Sequence, residues 1–188
     1  PRTPRPRCPD PDPPPAPAYM PPLALLRNYS NAFAWPDQAA AATAIATGVK
    51  TNNRSIGVDP SGKTLKNLTQ LAREAGRATG LVANGNLTDA TAAAFYAHNG
   101  APADTLALAQ QMTENPILDL VLGGGAADFL PQSQGGRRED NRDFLLEIRR
   151  NGLDLVRSKL DLEELPGWRR PKLTVVCSMA ALAYSAHV

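Results

Sequence analysis

Apolar and polar positions along this chain switch repeatedly between a helical period and short continuous apolar runs, which predicts helices alternating with buried strands. Ala39–Ala46 is strongly helix-forming and nearly free of bulk; Pro36 and Asp37 precede it as stop and cap, and Gly48 follows as a C-cap. Asn52–Ser61 reads as loop. Thr64–Ala75 reads as a helix, with Thr64 as its N-cap, Leu65, Leu68 and Leu71 as an apolar stripe and Gly76 closing it. Ala78–Ala83 is a short strand, and Asp89–His98 a helix capped by Thr88 or Asp89. Asp104–Met112 is a helix, and Leu118–Leu122 a strand running into Gly123, Gly124 and Gly125. Asn141–Asn151 is a helix stopped by Gly152, and Leu153–Val156 and Leu173–Val176 are strands. Strands separated by helices of this length predict an α/β fold, mainly a parallel sheet with helices on both faces.

Composition narrows the picture. A chain of 188 residues is one domain or part of one, and 43% hydrophobic residues suffice for a real core. The net charge of +2 gives no electrostatic case for nucleic acid. The Arg137-Arg138 and Arg149-Arg150 pairs read as solvated rather than phosphate-binding. Cys8 and Cys177 show neither disulfide nor metal-ligand spacing. No membrane-spanning run and no N-terminal signal pattern is present. Residues 1–22 hold 11 of the chain's 18 prolines, so they are expected to be extended or disordered, with the α/β domain over 23–188. The first residue is Pro rather than Met, which reads as a processed, trimmed or incomplete end.

Two segments bear on chemistry. The first turn of a buried Ala-rich helix lies in the field of the helix N-terminus, a favourable place for an anion or an ionised nucleophile. An ordinary Ala-rich core helix is the competing reading. Separately, Gly57–Thr64 fits the pattern G-x-x-x-x-G-K-[ST] of a nucleotide-binding P-loop. Its context argues against that reading: Lys50–Ser55 is polar where a buried strand is needed, and Pro60 removes an amide donor.

The stretch Asp37-Gln-Ala-Ala-Ala-Ala-Thr-Ala-Ile-Ala-Thr-Gly-Val-Lys50-Thr-Asn-Asn closely resembles the nucleophile segment of the alkaline phosphatase family. Leu71–Val82, Leu87–His98 and Asp119–Ala126 resemble further blocks of that family, in the right order. The resemblance runs from about Leu23 to Val176 and implies a partial alkaline-phosphatase-like α/β sandwich. It also implies metal-dependent hydrolysis of phosphate monoesters through a phosphoserine, with two zinc ions, a magnesium site and a phosphate-clamping arginine. By the resemblance, Gln38 occupies the position of the family's nucleophilic serine, and Asp37 that of the carboxylate before it, which helps orient the arginine. Thr91 matches the magnesium-ligating threonine and Asp89 the carboxylate beside it. As plain structural alternatives, Asp37 and Asp89 are helix caps and Thr91 a first-turn hydroxyl.

The departures from the family are as informative. Gln38 has no ionisable oxygen or sulfur with which to attack phosphorus. The arginine is expected shortly after His98, yet no basic residue occurs from there until Arg137, so no phosphate-binding residue is identified. The zinc ligands are not found in this chain: of its two histidines, His98 falls in a matched block at a position not used for metal, and His187 lies near the end. Two readings follow: a phosphomonoesterase by descent, inactive or incomplete in this chain, or a catalytically dead fragment or binding remnant. A periplasmic or secreted setting is implied by the family alone, and no membrane or nucleic-acid partner is expected.

Overall fold

The computed structural model describes residues 29–100, 104–115 and 117–156, together with the backbone of 173–176. The Pro-rich segment 1–22, both cysteines and His187 lie outside the described residues.

The expected Ala-rich helix is α1, Gln38–Thr47. Asp37 caps its start, accepting from the Ala40 N–H, and Gly48 ends it at φ 75, in the left-handed conformation that glycine adopts without penalty. Its lack of bulk serves close packing. Ala39, Ala42 and Ala46 join one core with Ala93, Ala94 and Ala97, so two alanine faces meet where larger side chains would hold the backbones apart. Thr43 is fully buried within α1; its hydroxyl donates to the Ser55 carbonyl at 3.2 Å and accepts from the Gly57 N–H at 3.1 Å, tying the following loop down.

The second helix is shorter than its pattern predicts. α2 is Leu68–Glu74, and its N-cap is Asn67 rather than Thr64. Asn67 accepts from the Gln70 N–H while the Gln70 side chain accepts from the Asn67 N–H, a complete capping box. Thr64 instead pairs in an isolated antiparallel bridge with Val58. Local turn chemistry outcompeted the leucine stripe: Leu68 and Leu71 stay 59% and 48% exposed, and α2 buries no residue.

The strands are β1 (Gly80–Asn86), β2 (Leu120–Gly124), β3 (Asp154–Val156) and β4 (Leu173–Val176). They form one parallel sheet in the order β1-β2-β4-β3, with Leu81 opposite Val121, Val121 opposite Thr174 and Thr174 opposite Leu155. Asp119 anchors the start of β2 by accepting from the Thr79 N–H at 3.0 Å and pairing with Arg73 at 3.4 Å. Near the ends of β1 and β2 the register slips between Val82 and Asn86. Gly123 permits this, because a Cβ there would lie 2.6 Å from a methyl of the fully buried Leu87.

The remaining helices are α3 (Ala90–Ala93), α4 (Thr105–Glu114) and α5 (Phe144–Arg150). α3 falls well short of the expected Asp89–His98: after Ala94 the amides of Phe95 and Tyr96 bond three residues back rather than four. Tertiary partners draw this end away from helix geometry. The Tyr96 hydroxyl donates to the Leu87 carbonyl at 3.0 Å, and Thr69 donates to the Phe95 carbonyl. α4 is capped by Asp104 and α5 by Asp143.

The Arg137-Arg138 pair corrects an expectation. Arg137 is exposed, but Arg138 is buried to 5%, stacked 3.7 Å above the Phe144 ring and paired with Asp140. Arg142 lies 4.6 Å from the same ring, so two guanidinium groups flank one aromatic side chain.

Candidate functional site

The N-terminus of α1, the loop after it, the C-terminal end of β1 and the start of α3 converge on one corner of the fold. Parallel α/β sheets place ligands outside the carboxyl ends of their strands, and this corner has that location. A groove of about 410 Å³ opens here, lined by Gln38, Asp89, Thr91 and Phe95 along with the β1 residues from Leu81 to Asn86.

Asp37 serves the backbone. One carboxylate oxygen accepts from the Ala40 N–H at 2.8 Å, and the other from the Arg54 N–H at 2.6 Å. The Asp37 N–H donates in turn to the Asn53 side chain at 3.2 Å. These bonds hold Arg54 at φ 66, a conformation uncommon for a residue with a Cβ. Both roles, cap and loop anchor, use backbone donors. Asp37 is not among the groove-lining residues.

Gln38 is the first residue of α1 and is exposed to the groove. Its Nε2 donates to Thr91 Oγ1 at 2.7 Å. Asp89 Oδ2 accepts from the Asn86 N–H at 3.1 Å, closing the turn between β1 and α3. Asp89 occupies the N-cap position of α3 without making a side-chain cap bond. Three of the four site residues expected from the sequence, Gln38, Asp89 and Thr91, therefore share the groove. Asn84 and Asn86 also line it. Their place in a strand end before an acidic turn is the signal that could have found them.

Thr88, next in sequence to the groove-lining Asp89, forms a buried polar pair with Asp128. Thr88 donates to Asp128 at 2.6 Å, and Arg137 pairs with the other Asp128 oxygen at 3.1 Å. Thr88 is thus committed to Asp128 and does not cap α3. Burial pushes the Tyr96 hydroxyl far above its ordinary titration range, and the charges of Asp128 and Asp89 add to the effect. Tyr96 therefore stays protonated and acts as a donor. His98 is packed: Nδ1 lies 2.9 Å from the Gly57 carbonyl and Nε2 3.0 Å from Gln70 Nε2. Among the described residues, no lysine or arginine lines the groove.

The Gly57–Thr64 loop is filled from within. Asp59 accepts from the Ser61 N–H at 2.8 Å, from the Ser61 hydroxyl at 2.6 Å and from the Lys63 N–H at 2.9 Å, while the Gly62 N–H donates to the Asp59 carbonyl. The Ser61 hydroxyl and then the Lys63 N–H hold the Asp59 carboxyl below its ordinary range, against a smaller opposing effect of desolvation. The amides that a triphosphate would need are occupied by an aspartate. Magnesium-ATP is accordingly expected to leave the melting temperature unchanged, whereas a ligand held here would raise it through binding linkage. Micromolar ATP binding abolished by Lys63→Ala would overturn that expectation.

The described residues do not fit a resident metal. Among the described residues no group of three or more His, Cys, Asp or Glu is placed to hold one. Thr91 Oγ1 already carries an amide donor, and Asp89 is engaged by a backbone N–H. Zinc asks for about four N, S or O ligands and magnesium for about six, mostly oxygen. No helix among the described residues is long and apolar enough to cross a membrane.

A parallel α/β sheet with a capped helix N-terminus and an acidic turn gathered at its strand ends defines the class. The family model for alkaline phosphatase matches residues 16–172, and the chain belongs to that family. It is 38% identical over 133 residues to alkaline phosphatase 4 of Bacillus subtilis, covering 68% of this chain and 27% of that protein. The solved alkaline phosphatase from the Antarctic bacterium TAB5 superposes with a TM-score of 0.74 at 30% identity, over 84% of this chain and 44% of its own. A mutant of that enzyme with magnesium bound in its M3 site gives 0.72 at 28% identity, covering 84% of this chain and 43% of that one. The chain thus spans about a quarter of the curated relative's length and under half of the solved structures.

Proposed function

We propose that this chain is the nucleophile-bearing segment of an alkaline-phosphatase-type phosphate monoester hydrolase, with its nucleophile position occupied by a residue that cannot attack. Family membership supports the reaction class, and the site geometry supports the loss. The observation that carries the reading is Gln38. It is the first residue of an Asp-capped, Ala-rich helix and faces the groove, yet it presents an amide hydrogen-bonded to Thr91 rather than an ionisable hydroxyl. Phosphate monoesters are the proposed substrate class of the family member to which such a segment belongs. In this chain Asp37 has become a cap and loop anchor. Thr91 keeps the family's magnesium position and Asp89 that of the carboxylate beside it, without a further set of cation ligands among the described residues.

Elemental analysis of the purified, metal-equilibrated chain tests the proposal. Zinc is expected at well under one ion per chain. Stoichiometric zinc would mean that ligands exist elsewhere in the sequence and would overturn the inactive reading.

A further inference from the structure

We infer that Gln38 is a latch: its amide ties α1 to α3 through Thr91 and thereby closes the threonine oxygen to a divalent cation. The inference rests on the proposal above in one respect, that Thr91 occupies the family's magnesium position. The geometry is otherwise this chain's own. Nε2 lies 2.7 Å from Thr91 Oγ1, so an amide hydrogen, the positive end of the N–H dipole, points at the oxygen that a cation would use. Magnesium requires oxygen ligands at about 2.0–2.1 Å in near-octahedral geometry and tolerates no donor hydrogen in that shell. The nearby carboxylate, Asp89, already accepts from the Asn86 N–H at 3.1 Å.

Chain length at position 38 matters as much as charge. The glutamine amide sits two bonds farther from the backbone than a serine hydroxyl, and that reach carries it from the first residue of α1 to the second residue of α3. The bond joins positions 53 residues apart, between helices whose alanine faces already share the core. The substitution at position 38 therefore removes a nucleophile and adds a neutral structural tie at the same point.

Two measurements test the latch: manganese titration followed by electron paramagnetic resonance, and thermal denaturation followed by circular dichroism. The wild-type chain is expected to bind Mn²⁺ no tighter than millimolar. Gln38→Glu keeps the side-chain length but replaces the amide hydrogens with an anionic oxygen beside Thr91 and Asp89. It is expected to bind Mn²⁺ at least about tenfold more tightly, because hard cations select carboxylate oxygen. Gln38→Ala and Thr91→Val are each expected to lower the melting temperature by about 2–4 °C, and the double variant by no more than either single one.

Wild-type binding at tens of micromolar that is lost in Asp89→Ala would overturn the closure of Thr91. Failure of Gln38→Glu to tighten binding would do the same. Additive losses of melting temperature would overturn the tie between the helices. The proposal of an inactive segment fails separately, through stoichiometric zinc, and that result would leave the manganese and melting outcomes standing.

Discussion

Incubated with zinc, magnesium and a nitrophenyl phosphate, the purified chain is expected to release nitrophenol at the uncatalysed rate. The family reaction proceeds through a covalent intermediate, and an amide at position 38 supplies neither the oxygen nor the ionisation needed to form it. Removing the nucleophile of a hydrolase in which nucleophile and base act as a unit costs roughly a millionfold in kcat. Among the described residues no cationic side chain lines the groove to stabilise a pentacovalent phosphorus. Gln38→Ser is expected to restore little, since a hydroxyl alone has no metal to lower its pKa and no clamp to orient the ester. It would also remove the bond to Thr91. Zinc-dependent, phosphate-inhibited turnover by the wild-type chain that disappears in Asp37→Ala would refute this expectation. Strong rescue by Gln38→Ser would show that the missing ligands are present after all.

The second large effect is structural. Gly57→Ala is expected to destabilise the chain by about 2–5 kcal/mol, the sum of a left-handed backbone penalty of about 1–2 kcal/mol and an overpacking cost of about 1–3 kcal/mol. Gly57 has φ 62, and a Cβ there would lie 2.4 Å from the Ala97 carbonyl oxygen and 2.6 Å from His98 Nδ1. Neither neighbour yields cheaply: the first is backbone, and the second accompanies the Gly57 carbonyl in a 2.9 Å hydrogen bond. Gly57 also donates to the buried Thr43 of α1 and accepts from the Leu65 N–H. One glycine thus joins α1, the turn before α2 and the end of the α3 segment. Gly48→Ala is the matching control, with φ 75 but nothing within 4 Å of its Cβ position, and only the backbone penalty applies. Denaturant melts of both variants should therefore separate. Equal losses would show that contact with Ala97 and His98 contributes nothing.

The glycine pair illustrates where reading the sequence stops. Gly48 after an Ala-rich run is recognisable as a helix stop from its neighbours alone. Gly57 looks like part of a nucleotide loop, and only the approach of Ala97, forty residues later, explains why it must be glycine. Arg138 shows the same limit. An arginine pair in a polar stretch reads as solvated, but the Phe144 ring, brought close by the turn before α5, buries one member and leaves the other exposed to pair with Asp128.

Signals carried within a few residues were therefore readable directly. Asp37 caps the helix that follows it, Gly48 ends α1, and the apolar runs become strands of a parallel sheet. The family was also legible, since it rests on residue identities in order; that Gln38 stands at its serine position is the reading proposed above. Element limits that depend on distant partners were not. Thr64 lost the N-cap role to the Asn67–Gln70 capping box, and Asp89–His98 shortened because Leu87 and Thr69 claim the groups of Tyr96 and Phe95. The meeting of Gln38 with Thr91 belongs to tertiary structure alone. Periodicity records which face of an element is apolar, but the packing of two alanine faces decides which polar side chains come within hydrogen-bond reach across their rim.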